Sequence, residues 1–178
     1  DDICKTLNAI GFEVDSLERI SIAPKVVIGK VLEKEKHPDA DKLNICQVDL
    51  GTHQVQIVCG AKNVEVGQFV PVATVGCDLG NNFVIKEAKI RGVESNGMIC
   101  SATELGLPKL NDGILELDDS IGELVLGKEL KEYSKLNDDI IEIGLTANRG
   151  DCLSINGIVR ELGAFYSIVL IECDKKIN

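Results

Sequence analysis

The hydrophobic positions along the chain change their period near residue 26. In the opening segment, Ile3, Leu7 and Ile10 fall on one stripe of a helix, and Gly11 is placed to end it. From Val26 onward, apolar and polar residues alternate instead, as expected for strands that bury one face. The segments with this alternation are VVIGKVLEKEKH, KLNICQVDLG and HQVQIVCGA.

More strands are predicted after a turn at residues 65–68. The segment NFVIKEAKIRGVESNGMICS continues the β pattern. Within it, Gly92 is a candidate β-bulge, and the pair Asn96-Gly97 is typical of a hairpin turn. Short strands at regular spacing, separated by Gly and Asn, predict a small closed barrel or a sandwich.

After Tyr133 the pattern predicts a strand followed by a helix. NDDIIEIGLT is predicted as a strand, and LSINGIVRELGAFY as a helix because its apolar residues recur at helical spacing. Ser154 or Asp151 is expected to cap this helix, and Arg149 in the preceding turn to pair with a carboxylate.

The two ends of the chain are predicted to form one domain. The opening helix and the closing strand-helix unit are each too small to bury their apolar faces alone. We therefore predict a discontinuous domain of residues 1–25 and 134–178, interrupted by a β domain at 26–133. A helix at the very start and a strand-like final segment, SIVLIECDKKIN, indicate a piece of a longer chain.

Composition indicates an ordinary globular protein of 178 residues, 44% hydrophobic and 27% charged. No run of about 18 apolar residues and no secretion leader occurs, so we expect no membrane partner. None of the seven cysteines stands in a CxxC pair, and most lie in apolar contexts, which indicates buried thiols in the reducing cytoplasm. With only two histidines to add, we predict no metal site.

Aromatic residues are scarce: the chain has no Trp, two Tyr and four Phe. Proteins that bind single strands by stacking bases on aromatic side chains usually carry more. Any contact with nucleic acid is therefore expected to use shape, phosphates and backbone donors.

The formal net charge of -10 is unevenly distributed. Residues 27–110 carry ten acidic and nine basic side chains, whereas residues 111–132 carry seven acidic and two basic ones. The overall acidity therefore does not describe the surface near Arg91.

The segment HPDADKLNICQVDLG begins with a turn between two strands. Pro38 sets the bend, and the carboxylates of Asp39 and Asp41 are expected to accept hydrogen bonds from turn amides. No nucleophile and base stand together here, so a catalytic role is not favoured. Lys42, at the end of the turn, is the residue free to meet a phosphate.

The segment IVCGAKNVEVGQ contains a second candidate for contact with a phosphate. Gly60, Lys62 and Asn63 come just after a strand and could cradle a phosphate, although their spacing is not that of a P-loop. Cys59 has no basic partner nearby in sequence, so a buried structural cysteine is favoured over a nucleophile.

Three cations stand close together in KEAKIRG. Strict alternation along a strand puts Lys89 and Arg91 on one face and Lys86 on the other, unless a bulge realigns them. Two interpretations stay open. The cations form either a solvated strand face or a track for a sugar-phosphate backbone, helped by exposed amides between Gly92 and Gly97.

Four segments together go beyond generic patterns and carry a family resemblance. Three of them resemble the tRNA-binding OB-fold family, which includes the endothelial monocyte-activating polypeptide module and freestanding bacterial tRNA-binding proteins. The fourth, placed after that module, resembles the beta subunits of bacterial phenylalanyl-tRNA synthetases. In order, the segments are HPDADKLNICQVDLG, IVCGAKNVEVGQFVPVATVG, KIRGVESNGMICSATELGL and TANRGDCLSINGIVRELGAF.

The resemblance implies a fold class of α+β, mostly β: a five-stranded OB-fold Greek-key barrel inserted into a small discontinuous α+β domain. It also implies an α2β2 ligase that uses ATP and magnesium to charge tRNA with phenylalanine. The alpha subunit and tRNA would be the partners, DNA would not, and no cofactor or catalytic residue is expected in this chain. The tRNA-binding residues it implies are Lys42, Lys62, Asn63, Lys86, Lys89, Arg91, Ser95, Asn96, Met98 and Ser101.

Two alternatives belong to other functional classes. One is a freestanding tRNA-binding or chaperone-like protein, which the strand-helix unit at the end of the chain disfavours. The other is a purely structural module retained for subunit packing. The acidity of the β region, with seventeen acids against eleven bases in residues 26–133, predicts weak intrinsic affinity for tRNA.

Overall fold

The change from helix to strand is present in the computed structural model, which describes residues 2–170. No helix in this part of the chain is long and apolar enough to cross a membrane. Short 3-10 turns lie between residues 103 and 152. The helices and strands, in order, are α1 (Asp2–Ala9), β1 (Glu13–Ile20), β2 (Val26–Lys36), β3 (Asn44–Asp49), β4 (Gln54–Cys59), β5 (Phe69–Ala73), β6 (Ala88–Ile90), β7 (Val93–Ser95), β8 (Met98–Ile99), β9 (Asp138–Gly144) and α2 (Ile155–Tyr166).

Five strands form an antiparallel barrel in the order β4-β3-β2-β5-β8. The two edge strands approach each other, and the segment before β8 closes most of the remaining gap. There the amide of Asn96 donates to the carbonyl of Gln56 at 2.8 Å. The predicted five-stranded OB-type barrel within a mostly β chain is therefore confirmed.

The strands β2 and β5 are buried on both faces. Val31 and Val70 point into the barrel interior, where they pack with Val48. Val26 and Ile28 point the other way, into a second cluster covered by the irregular segment 114–136. A strand that is buried on both faces shows a near-continuous apolar run rather than strict alternation, and the start VVIG of β2 has this form.

A second compact unit contains α1, β1, β9 and α2, with β1 and β9 forming a two-stranded sheet. Leu7, Phe12 and Cys152 form its core. The hydroxyl of Ser154 accepts a hydrogen bond from the amide of Gly157, which confirms Ser154 as the predicted N-cap. Strand β1 was not predicted, because its partly buried residues recur every third position instead of every second.

The compact units change at residues 19/20 and 138/139, whereas the predicted domain limits are at 25/26 and 133/134. Ile22 accounts for the difference at the first limit, because it is buried in the same cluster as Val26. Leu136 packs against this cluster at the second limit. Residues 171–178, most of the predicted final strand, lie outside the described part of the chain.

Replacing Gly29 with alanine should destabilise the barrel. Gly29 is buried in β2, and a methyl group there would approach the side chains of Val48 at 2.6 Å and Val72 at 2.8 Å. Overpacking of this kind typically costs about 1–3 kcal/mol. Urea unfolding should show this loss of unfolding free energy in Gly29→Ala.

The matched control is Gly60→Ala. Gly60 is exposed, and the nearest atom to an added methyl group would be the end of the Leu43 side chain at 3.3 Å. We expect a change within about 0.5 kcal/mol. Equal stability of the two variants would contradict the close packing assigned to Gly29.

Candidate nucleic-acid interface

Two connections of the barrel carry most of the predicted RNA-binding cations. The first connection, residues 37–43, joins β2 to β3 and carries Lys42. The second, residues 74–97, joins β5 to β8 and contains the β6–β7 hairpin. In OB folds the loops at these two topological positions commonly bind oligonucleotides.

The β6–β7 hairpin ends in a tight two-residue turn at Arg91 and Gly92. Both residues have positive φ angles, 47° and 87°, and Ile90 pairs with Val93 across the turn without a register shift. This is the geometry of a primed hairpin turn. The predicted bulge at Gly92 is therefore wrong: the glycine supplies the left-handed turn conformation instead of an extra residue.

The hairpin turn places Arg91 at the tip of the β6–β7 hairpin. Arg91 is exposed and makes no ion pair within residues 2–170. Lys86 is also exposed and unpaired in this part of the chain, but it precedes β6. The strand has only three residues, so strict alternation does not decide the faces of these cations.

Lys89 has a carboxylate partner. It lies opposite Glu94 in the hairpin register, with 3.6 Å between Nζ and Oε1. Both side chains are about two-thirds exposed, and exposed pairs of this kind contribute only about 0–1 kcal/mol. The Lys89 charge is therefore weakly held and stays close to solvent.

Ser95 and Asn96 form hydrogen bonds at the point where the barrel closes. The Ser95 hydroxyl is buried, accepts a hydrogen bond from the amide of Val58 at 3.1 Å and donates one to the carbonyl of Gly97 at 3.3 Å. In this structure it is not accessible to RNA. The predicted hairpin turn at Asn96-Gly97 is wrong, because these residues connect β7 to β8 in a different sheet.

His37 joins the two connections, a role that no sequence pattern indicated. Its ring is buried, Nδ1 accepts a hydrogen bond from the amide of Asp39 at 3.1 Å, and Nε2 donates to the carbonyl of Ile90 at 3.0 Å. An acceptor at Nδ1 requires the proton on Nε2. His37 thereby fixes the hairpin that carries Lys89 and Arg91 against the turn that carries Lys42.

The hydrogen bonds that stabilise the turn at residues 37–43 differ from the predicted ones. Within the described residues, the carboxylates of Asp39 and Asp41 accept no hydrogen bond from a turn amide. The His37 ring accepts the Asp39 amide, and the amide of His37 bonds to the carbonyl of Leu43 at 3.0 Å. Lys42 is exposed, as predicted, and has no ion pair in this part of the chain.

A separate open groove of about 400 Å³ contains Met98 and Ser101 in its wall. Ser101 donates hydrogen bonds from its amide and its hydroxyl to the carboxylate of Glu104, at 2.6 Å and 2.7 Å. Asp112 also lines this groove. Two carboxylates make it an unfavourable place for a phosphate.

A neighbouring cavity holds Lys62 and Asn63. The side-chain amide of Asn63 donates to the carbonyl of Ile114 and accepts from its amide, each at 3.0 Å. The Asn63 side chain therefore makes the two backbone hydrogen bonds with Ile114 that a neighbouring strand would otherwise make. A side chain at the adjacent Gly113 would overlap the Asn63 side chain. Lys62 is exposed without an ion pair in the described residues.

Five of the six cysteines in the described residues are buried, as predicted, whereas Cys4 is half-buried. Burial raises the pKa of Cys59, which lines the acidic groove. Burial likewise raises the pKa of Cys46 to about 11 and that of Cys100 to about 12. These thiols remain protonated at neutral pH, where the thiolate would be the reactive form. Cys173 lies outside the described residues.

One group of potential metal ligands occurs in the described residues, Asp151, Cys152 and Glu161. The Arg149 guanidinium already interacts with all three, at 3.3 Å from Asp151, 3.1 Å from Glu161 and 2.9 Å from the Cys152 sulfur. Its hydrogen bond also lowers the pKa of Asp151. The predicted pairing of Arg149 with a carboxylate is confirmed, and its charge occupies the place a cation would need.

His37→Ala should loosen the hairpin. It leaves the Asp39 amide and the Ile90 carbonyl without partners, which we expect to cost about 1–3 kcal/mol of unfolding free energy. Hydrogen exchange should accelerate at residues 88–95. His53→Ala is the control, since His53 is exposed and, among the described residues, its ring bonds only to the hydroxyl of the neighbouring Thr52. Unchanged exchange in His37→Ala would contradict the tie between the two connections.

Comparison with known proteins identifies the family to which this barrel is similar. The family model for a putative tRNA binding domain matches residues 26–125. Phenylalanine–tRNA ligase beta subunits are similar to this chain: that of Wolinella succinogenes is 60% identical over 174 residues, 98% of this chain and 22% of the relative. The subunit of Helicobacter pylori is 59% identical over 92% of this chain and 21% of the relative. The predicted resemblance to these subunits is confirmed.

The chain spans about a fifth of the length of the curated relatives that it matches. Among solved structures, a MetRS-related protein from Pyrococcus horikoshii matches with a TM-score of 0.40 and 24% identity, covering 57% of this chain and 84% of that one. The family match includes the whole barrel, both connections and more than half of the chain. The chain therefore belongs to the family of putative tRNA-binding domains.

Proposed function

We propose that this chain is the tRNA-binding region of a phenylalanine–tRNA ligase beta subunit and that it holds tRNA on the two barrel connections. The names of the similar ligase subunits and the family match support this assignment. The longer protein would act in the cytoplasm with an alpha subunit. The ATP and magnesium of tRNA charging are assigned, by resemblance, to parts of that enzyme outside this chain.

The observation that carries the proposal is the projecting Arg91 on a fixed hairpin. Arg91 is exposed at a tight turn, and the His37 hydrogen bond holds the neighbouring Ile90. A cation in a fixed position loses less side-chain and loop entropy when it binds than one on a flexible loop does. Lys86 and Lys42 add two more charges on the same two connections.

Double-stranded RNA suits such a surface. A-form helices offer phosphates and 2′-hydroxyl groups across a wide minor groove and hide most of their base edges from side chains. Cations that contact phosphates position the RNA without reading its sequence. The surface therefore fits the body of a tRNA better than it fits a defined base sequence.

Binding should be weak and sensitive to salt. If two to four phosphates are neutralised, the logarithm of the association constant should fall against the logarithm of salt concentration with a slope of about -1.5 to -3.5. The double variant Lys86→Ala/Arg91→Ala should reduce the magnitude of this slope by about 1.5–2, because two contacts are lost. Fluorescence anisotropy of labelled tRNA at several salt concentrations measures both values.

The control removes the same charge elsewhere. Lys5 and Arg160 are exposed and belong to the other compact unit. Lys5→Ala/Arg160→Ala should leave the slope unchanged. If the chain binds no tRNA at low salt, the purely structural role is favoured instead. If both double variants lose equal affinity, net charge and not the barrel connections determines binding.

Glu94→Gln should strengthen tRNA binding by a factor of about 2 to 5. The substitution removes a carboxylate that repels phosphates and releases Lys89 from its weak ion pair, an interaction of about 0.2–1 kcal/mol. The control is Glu116→Gln, which changes the net charge equally at an exposed position in the acidic segment 111–132. An equal gain in both variants would contradict a local role for Lys89.

A further inference from the structure

The part of the 74–97 connection that precedes the hairpin forms a firmly anchored loop. Cys77 and Ile85 are buried in the core cluster and exchange backbone contacts, with the Ile85 amide donating to the Cys77 carbonyl at 2.8 Å. The Cys77 thiol also donates to the carbonyl of Pro24 at 3.2 Å. Residues 78–84 project between these two anchors.

The projecting tip has a defined conformation. Asn81 and Asn82 both have left-handed φ angles, 51° and 62°, and the amide of Phe83 donates to the carbonyl of Gly80 at 2.9 Å. The amide of Leu79 in turn donates to the carbonyl of Phe83 at 3.0 Å. These bonds fix the backbone of Phe83 in a compact turn.

The fixed tip presents an aromatic ring to solvent. Phe83 is 52% exposed. Val84, the next residue, is 40% exposed, and Val75 is 41% exposed near the base of the loop, where the amide of Gly76 donates to the carbonyl of Ile85. The other two aromatic residues of the barrel unit are used internally: Tyr133 is buried, and Phe69 is half-buried beneath the ammonium of Lys30. Phe83 is thus the exposed aromatic residue of this unit.

Cations flank the apolar tip. The ammonium of Lys25 donates to the carbonyl of Gly76 at 3.3 Å, which places it next to Val75. Lys86 follows the anchor residue Ile85 directly and has no ion pair within residues 2–170. The loop thus carries an exposed aromatic ring at its tip and two cations near its base, and its one carboxylate, Asp78, accepts a hydrogen bond from the amide of Gly80. A ring with cations on the same loop matches the two parts of a nucleotide, a flat base and a phosphate.

We propose that Phe83 is a stacking platform for one unpaired base of the bound RNA. Val75 and Val84 would contact the edges of that nucleotide, and Lys25 and Lys86 would face its neighbouring phosphates. This inference rests on the proposed function and adds a contact with a single-stranded loop or end to the binding of paired regions. Inside an A-form helix each base is stacked on both faces, so a base in the interior of a paired region cannot stack on the ring.

The size of the patch favours a base over a protein partner. A stable protein–protein interface uses about 20–30 residues on each side. Three apolar side chains at a loop tip cover far less, but one aromatic ring is sufficient for one base. Because aromatic residues are scarce, this chain cannot stack many bases. A single stacked base is still possible.

The test introduces a fluorescent reporter at the platform. The chain contains no Trp, so Phe83→Trp supplies the single indole of the protein. The probes are a hairpin RNA with an unpaired loop and a blunt RNA duplex of equal charge. The hairpin should quench the Trp emission saturably, whereas the duplex should bind without quenching. The control is Phe165→Trp, because Phe165 is equally exposed, at 51%, in the other unit.

Phe83→Ala provides the affinity measurement. Loss of one stacked base should weaken binding of the hairpin RNA by about 5- to 150-fold and leave binding of the duplex within twofold. The slope against salt should not change, because no charge is removed. Thermal unfolding of both Phe83 variants checks that they remain folded.

The outcomes separate the two proposals. If hairpin RNA binds with the expected salt dependence but neither quenches Phe83→Trp nor weakens with Phe83→Ala, the stacking proposal is overturned and the proposed function stands. If neither RNA binds the unsubstituted chain at low salt, both fail. If Phe83→Ala leaves RNA binding unchanged and abolishes self-association in sedimentation, the tip is a protein contact, which also overturns stacking.

Discussion

The buried hydroxyl of Ser95 fixes the point at which the long 74–97 connection returns to the barrel. Because it bonds to the Val58 amide on one side and to the Gly97 carbonyl on the other, it takes the place of regular strand pairing at the closure. The preceding strand β7 is held along β4, where the Gln56 side chain donates to the Glu94 carbonyl at 2.7 Å. The position of the whole hairpin, and therefore of its cations, depends on this closure. His37 then fixes the other end of the hairpin.

A chain with a net charge of -10 can present a surface for RNA because charge acts over a short distance. At physiological ionic strength the screening length is about 8 Å, so exposed carboxylates farther away contribute little to the potential at a given cation. Half of the excess acid lies in residues 111–132, and the cations of the two connections lie in a part of the sequence that is nearly neutral. The affinity is set by the few carboxylates nearby, of which Glu94 faces Lys89 directly. The local arrangement of charges thus matters more than their sum.

The barrel could be predicted because its strands bury one or both faces and therefore show recognisable apolar patterns. Strand β1 was not predicted because its partly buried residues do not alternate with exposed ones. The role of His37 could not be read from the sequence, since its partner Ile90 is 53 residues away and is contacted through a carbonyl that every residue has. The turn at Arg91-Gly92 was misassigned for a related reason: a glycine signals a positive φ angle but does not tell whether a bulge or a two-residue turn uses it. Exposure of the cations was predictable, whereas their individual partners were not.

The segment KIRGVESNG illustrates why a motif and a binding site need not coincide. Its polar residues Ser95 and Asn96 form hydrogen bonds within the barrel, whereas its cations Lys89 and Arg91 point to solvent. The same division separates Asn63, which holds the backbone of Ile114, from the exposed Lys62 next to it. Residues of the first kind hold the backbone from which the cations project, so the position of the cations depends on them. The exposed cations of this segment are the side chains that the proposed contact with RNA would use.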